Sequence, residues 1–130
     1  KIVILDCDLI GFDRPLADEI RSYIAAKVGT ASTDVLLGAT HTHNGPCTAR
    51  GQNGGPHHIP VRDGEAEELD TYIENLVRQL VGLAALADAD RQPARVGAAS
   101  DQANVAVNRE EIDPLDGAVL VGRNPDGVTD

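Results

Sequence analysis

The chain has 130 residues, of which 11 are basic and 21 acidic, for a net charge of −10. That length suffices for one domain with a real core, and the composition is that of a globular α/β protein. The acid excess disfavours a nucleic-acid partner, because neutralising phosphates requires clustered Lys or Arg. No stretch reaches the roughly 20 apolar residues that cross a bilayer, and no charged-then-apolar leader stands in these residues, which leaves the compartment open.

In chain order, the β-branched run Ile2-Val3-Ile4-Leu5 predicts a strand buried on both faces and ending at Asp6-Cys7-Asp8. Cys7 lies in that strand and reads as a buried structural thiol; with Cys47 it makes neither a disulfide framework nor a C-x-x-C site. A helix should follow, with Pro15 in its first turn, Leu16, Ile20, Ile24 and Val28 at helical spacing, and Gly29 closing it in a left-handed conformation. Val35 to Ala39 predicts a second buried strand that delivers the chain to His41 and His43, which completes a β-α-β pattern. From Asn44 to Asp63 the chain is rich in Gly, Pro, Asn and His without an apolar period, so a long surface loop is expected. Leu69, Ile73, Leu76, Leu80, Leu83 and Ala87 then recur every three or four residues, and Glu65, Glu67, Glu68 and Asp70 place acid groups at the positive end of the helix they imply. Further strands are expected at Ala94–Ala99, at Ala103–Val107 and over 118–121. Lys1 opens directly into an apolar run and the last residues are turn-like, so both ends read as cut from a longer protein.

Side chains two apart in an extended chain face the same way, so His41 and His43 at a strand end are able to present both imidazoles to one point, as a divalent metal requires. Spacing alone leaves a metal or catalytic role balanced against loop histidines that bond locally. Asp6 and Asp8 end the neighbouring strand, where ligand, imidazole-orienting partner and turn-former are all open readings. His57-His58 sits between Pro56 and Pro60 as a solvated pair. Arg109, beside Asn108, should emerge at a strand end, where its fork of donors either holds a substrate oxygen or pairs with Glu110, Glu111 or Asp113. The glycine-rich run from Arg50 to Pro56 lacks the Lys-Ser/Thr ending of a phosphate loop, so nucleotide binding is not expected.

Thr40-His41-Thr42-His43-Asn44-Gly45-Pro46 closely resembles the H-T-H-S-G-P signature of the neutral/alkaline ceramidases, which hydrolyse the amide between sphingosine and a fatty acid. Asp8-Leu9-Ile10-Gly11-Phe12 looks like the segment before that family's first helix, and Asn104 to Arg109 looks like its N-x-N-R segment. The resemblance implies a catalytic domain with one Zn2+ ion: His41 as a metal ligand, His43 as a catalytic residue beside the reacting water, and Arg109 as a catalytic residue anchoring a substrate hydroxyl or amide oxygen. The family's other ligands, a His, a Glu and a Tyr, find no match in this chain, so residues 1–130 would be a partial N-terminal domain that needs the remainder of the catalytic domain. Secretion or export to the periplasm would fit such a family. Asn44 stands where the family has Ser, and Cys47-Thr48-Ala49-Arg50 stands where it continues with glycines and an aromatic, so a related lipid amide is as open a substrate as ceramide.

The expected fold is therefore α/β: a mixed, mostly buried sheet with packed helices, part of a larger catalytic domain. The expected function is zinc-dependent hydrolysis of a lipid amide. The alternatives are an inactive family member serving as a binding module, and an unrelated metal hydrolase with a local Asp/His site.

Overall fold

The structure, a computed structural model, describes residues 1–48, 64–103 and 109–122. It is a mixture of helices and small sheets, as an α/β reading requires, in two compact units, Lys1–Pro93 and Ala94–Asp130.

In the first unit, strand β1 (Val3–Cys7) lies parallel to strand β2 (Val35–Ala39), from Val3 opposite Val35 to Cys7 opposite Ala39. Helix α1 (Arg14–Val28) makes the crossover between them, as a parallel pair demands. Its ends are written in the sequence. The Asp13 carboxylate accepts from the Leu16 amide at 2.9 Å, Pro15 occupies the first turn where its missing N–H loses nothing, and Gly29 closes the helix at φ 70 with its amide donating to Ala25 O. A short 3-10 turn, Ser32–Asp34, leads into β2.

Helix α2 (Ala66–Ala89) confirms the long periodic stretch read from the sequence. Its buried residues are Ile73, Val77, Leu80 and Ala84, so the stripe runs through Val77 rather than through Leu83, which is exposed. Those four join Leu16, Ile20, Ile24 and Val28 of α1 and Leu5, Cys7 and Val35 of the sheet in one core. Ile20, Ile24 and Ile73 are fully buried. Both helices end beside Lys1, whose ammonium donates to Val28 O at 2.5 Å and to Asp88 at 3.0 Å.

The strands are not buried on both faces. Ile4 is 74% exposed and Leu36 52%, whereas Leu5, Cys7 and Val35 are in the core. The reason is the position of the helices: α1 and α2 share the core with one set of alternating side chains, and the other set, which includes Ile4 and Leu36, lies open.

The second unit contains an antiparallel hairpin of β3 (Glu110–Ile112) and β4 (Val119–Val121), the latter inside the span expected to be a strand. Its turn is held by Asp113, whose amide bonds to Ala118 O and whose carbonyl accepts from Gly117 N, both at 2.8 Å. Among the described residues the strands form two separate pairs, one parallel and one antiparallel, rather than one sheet of mixed direction. Ala94–Ala99, expected as a strand, takes no regular structure and is exposed throughout, with Val96 at 98%. Four small residues, three Ala and one Gly, leave it little to bury, and an extended segment without a ladder partner has no reason to persist. Of the strand expected at Ala103–Val107, residues 104–107 lie outside the described residues.

Two consequences are measurable. Ile20→Ala and Ile73→Ala should each lower unfolding free energy by about 2–5 kcal/mol, because both side chains leave a cavity in a closed core; urea titration reads this, and a loss within error would deny that the helices share one core. The Asp88 carboxyl is held below its ordinary value, first by its hydrogen bond with Lys1, against the opposing effect of burial, with the charges of Arg91 and Lys1 and a hydrogen bond from Arg91 adding to the lowering. A depressed folded-state pKa contributes stability above the unfolded carboxyl's pKa and loses it as pH falls through the folded value. The stability gap between the parent and Asp88→Asn should therefore close below about pH 4 and shrink in high salt even at neutral pH, since the pair is solvent-accessible.

Candidate functional site

Parallel strands leave their carboxyl ends side by side, and in this chain the two segments that follow those ends are bonded to one another. Thr40 N donates to Cys7 O and His41 N to Leu9 O, both at 3.0 Å. The Thr40 hydroxyl donates to the Asp8 carboxylate at 2.6 Å. The buried Thr48 hydroxyl donates to Gly11 O. Gly45 lies close against the same segment: a Cβ on it would stand 3.4 Å from Thr42 Cγ2, 3.8 Å from Asp8 O and 3.9 Å from Leu9 Cα. Residues 40–48 are in this way held onto residues 7–11, at the end of the sheet where α/β proteins place their sites.

His41 sits at the centre of this arrangement with φ 64, the left-handed region. For a residue with a Cβ that conformation costs about 1–2 kcal/mol and persists only when its surroundings enforce it. The imidazole Nδ1 is 2.9 Å from Ile10 O. A carbonyl only accepts, so Nδ1 carries the proton and, in the neutral ring, the lone pair is on Nε2. The His43 ring meets the His41 ring edge to face, with centroids 5.0 Å apart and planes at 70°. Both histidines are exposed. The two rings meet beyond the strand end, but the extended chain from which that was expected is broken at His41 by its left-handed φ.

Asp8, read from the sequence as ligand, imidazole partner or turn-former, accepts from Thr40. That bond was legible in principle. The two strands pair at a constant offset of 32, and Asp8 and Thr40 continue the register one step past Cys7 and Ala39. Asp6 faces Gly38 one step before Cys7 and Ala39, and its Oδ1 would be 2.9 Å from a Cβ there, so a larger residue would make the carboxylate shift. The Cys7 thiol is pushed up from its ordinary pKa by burial and then by the charge of Asp6, which keeps it protonated and inert at neutral pH. Tyr72 of α2, which packs against the core, is raised likewise, first by burial and then by the charge of Cys7.

Arg109 belongs to the second unit, where its Nε donates to Gly122 O at 2.9 Å and its carbonyl accepts from Gly122 N at 2.8 Å, closing the β3–β4 ladder. Asn108, His57 and His58 lie outside the described residues. Among the described residues, no three His, Cys, Asp or Glu side chains form a group suited to a metal. His41 by itself meets what one ligand requires: an imidazole whose other nitrogen is bonded to a carbonyl, so that tautomer and ring orientation are set. No family model, no curated protein and no solved structure matches the chain.

The strain at His41 has a checkable signature. Glycine normally destabilises relative to alanine, but at φ 64 it is free of the Cβ penalty. His41→Gly should therefore be more stable than His41→Ala by about 1 kcal/mol, measured by urea unfolding of the two variants side by side; the usual order, with Ala ahead, would show that residue 41 is not held left-handed.

Proposed function

We propose that this chain carries the metal-binding part of a zinc-dependent hydrolase of ceramidase type, acting on a lipid amide such as an N-acylsphingosine. The observation that carries the reading is the bond between His41 Nδ1 and Ile10 O, which directs the lone pair of a strand-end imidazole to Nε2, the atom a metal would use. The resemblance of Thr40 to Pro46 to the ceramidase signature names the same histidine as a ligand. On this reading the further ligands come from the remainder of a larger catalytic domain.

A zinc ion held by His41 would supply Lewis acidity toward an amide carbonyl and a water of lowered pKa. The chain's own residues divide the rest of the work. His41 holds one coordination position and is kept in a single tautomer by Ile10 O. His43, edge to face with it, receives a proton from the attacking water and delivers it to the nitrogen of the departing amine, as a general acid–base does. For Arg109, whose Nε–H is bonded to Gly122 O within the second unit, the resemblance to the ceramidases implies a substrate-anchoring role.

Metal content and lipid-amide hydrolysis, measured on the protein containing this chain and on two variants, test the proposal. His41→Ala should lose zinc and activity together. His43→Ala should keep zinc while turnover falls about 100-fold or more. A parent protein that takes up no zinc when it is supplied would end the reading, and loss of zinc in His43→Ala would make His43 a ligand instead of a proton carrier.

A further inference from the structure

We propose that Asp8 and Thr40 are positioning residues that hold His41 in its Nδ1–H tautomer through the bond between their side chains; the value of that tautomer for a metal rests on the function proposed above.

The argument starts from the backbone. His41 occupies a left-handed conformation that a residue with a side chain adopts only under constraint. The constraint comes from the strand-end bonds, and they differ in kind. Thr40 N to Cys7 O and His41 N to Leu9 O join backbone to backbone, while Thr40 Oγ1 to Asp8 joins the same two segments through side chains. At 2.6 Å, with an ionised acceptor, that bond belongs to the stronger class of hydrogen bond. It fixes residue 40 immediately before the left-handed residue, and it fixes residue 8 two positions before Ile10, whose carbonyl receives the His41 proton. Both halves of the His41–Ile10 contact are thus tied to one side-chain pair.

An unconstrained neutral imidazole favours a proton on Nε2, and which nitrogen carries it in a protein is decided by the bond that the other one makes. When the Asp8–Thr40 bond is removed, residue 41 relaxes toward ordinary backbone angles, the ring moves off Ile10 O, and the proton returns to Nε2. A carboxylate one register step beyond the last strand pair would in this way control, through a hydroxyl and a turn, which nitrogen of His41 has a lone pair to give.

The experiment is proton–nitrogen correlation NMR of the imidazole of His41, in the metal-free protein near pH 8, on the parent, Asp8→Ala, Thr40→Val and Thr40→Ser. The parent and Thr40→Ser, which keeps the hydroxyl, should show the proton on Nδ1. Asp8→Ala and Thr40→Val should move the larger share of it to Nε2. Thr40→Val is nearly isosteric, so it preserves the fold if Asp8→Ala does not, and it is read alone in that event. An unchanged Nδ1–H pattern in folded Thr40→Val overturns the proposal. Zinc affinity of the same variants separates this inference from the function it rests on. An affinity loss of about ten-fold or more alongside the tautomer change joins the two. A tautomer change with zinc affinity unaltered leaves Asp8 and Thr40 as positioning residues and removes His41 from the metal.

Discussion

Everything at the strand ends depends on the pairing of two backbone segments beyond the sheet. A parallel ladder ends where its last residues cease to face one another, and here the bonding continues from Cys7 and Ala39 into Thr40 and His41. That continuation combines backbone amide bonds, which most side chains leave untouched, with the side-chain bond from Thr40 to Asp8, and together they set the path of the chain through the histidine segment. The left-handed turn at His41, the bond from its ring to Ile10 O, and the edge-to-face contact with His43 all sit on that path.

The support for that path comes from the opposite side of the sheet. Leu5, Cys7 and Leu9 alternate into the core, so the segment that accepts the bonds from residues 40 and 41 is itself anchored by burial. Ile20 and Ile24 of α1 and Ile73 of α2 close that core. Burying each such side chain contributes about 1.5–3 kcal/mol, which exceeds the local strain at His41. The strained residue is affordable because it lies at the edge of a well-buried layer. The same asymmetry explains the open side of the strands: with both helices sharing the core of one face, Ile4 and Leu36 stay largely exposed among the described residues.

How much of this was legible in the sequence varied with how local the cause was. Pro15, Leu16, Ile20, Ile24, Val28 and Gly29 specify α1 by short-range rules, and the structure follows them; the Asp13 cap, equally local, was not read. The long helix was legible for the same reason, although its phase was read through Leu83, which is exposed, because hydrophobicity alone does not say which of two adjacent stripes meets a neighbour. Burial on both strand faces was misjudged since it depends on where later elements pack, which no run of four residues contains. Ala94–Ala99 shows the converse, a β-like pattern without a partner strand. At the site, the i, i+2 spacing of His41 and His43 was read through an extended chain, whereas the rings meet across a chain that turns left-handed at His41. The left-handed turn was not legible, because positive φ remains uncommon even for histidine, which is enriched there, and the bonds around it come from residues about 30 positions away.

The two histidines are chemically unequal in a way their shared motif conceals. A metal ligand must keep one nitrogen permanently unprotonated, whereas a proton carrier must gain and lose a proton with each turnover. Bonding Nδ1–H to a backbone carbonyl suits the first task and hinders the second, since exchanging tautomers would break a 2.9 Å bond inside a constrained turn. His43 carries no such tie among the described residues; its neighbour is the His41 ring, which restrains its position without demanding a particular tautomer. If the protein is the zinc hydrolase proposed above, these constraints favour His41 as ligand and His43 as proton carrier over the reverse. The reverse assignment would place the mobile proton on the ring least able to move it.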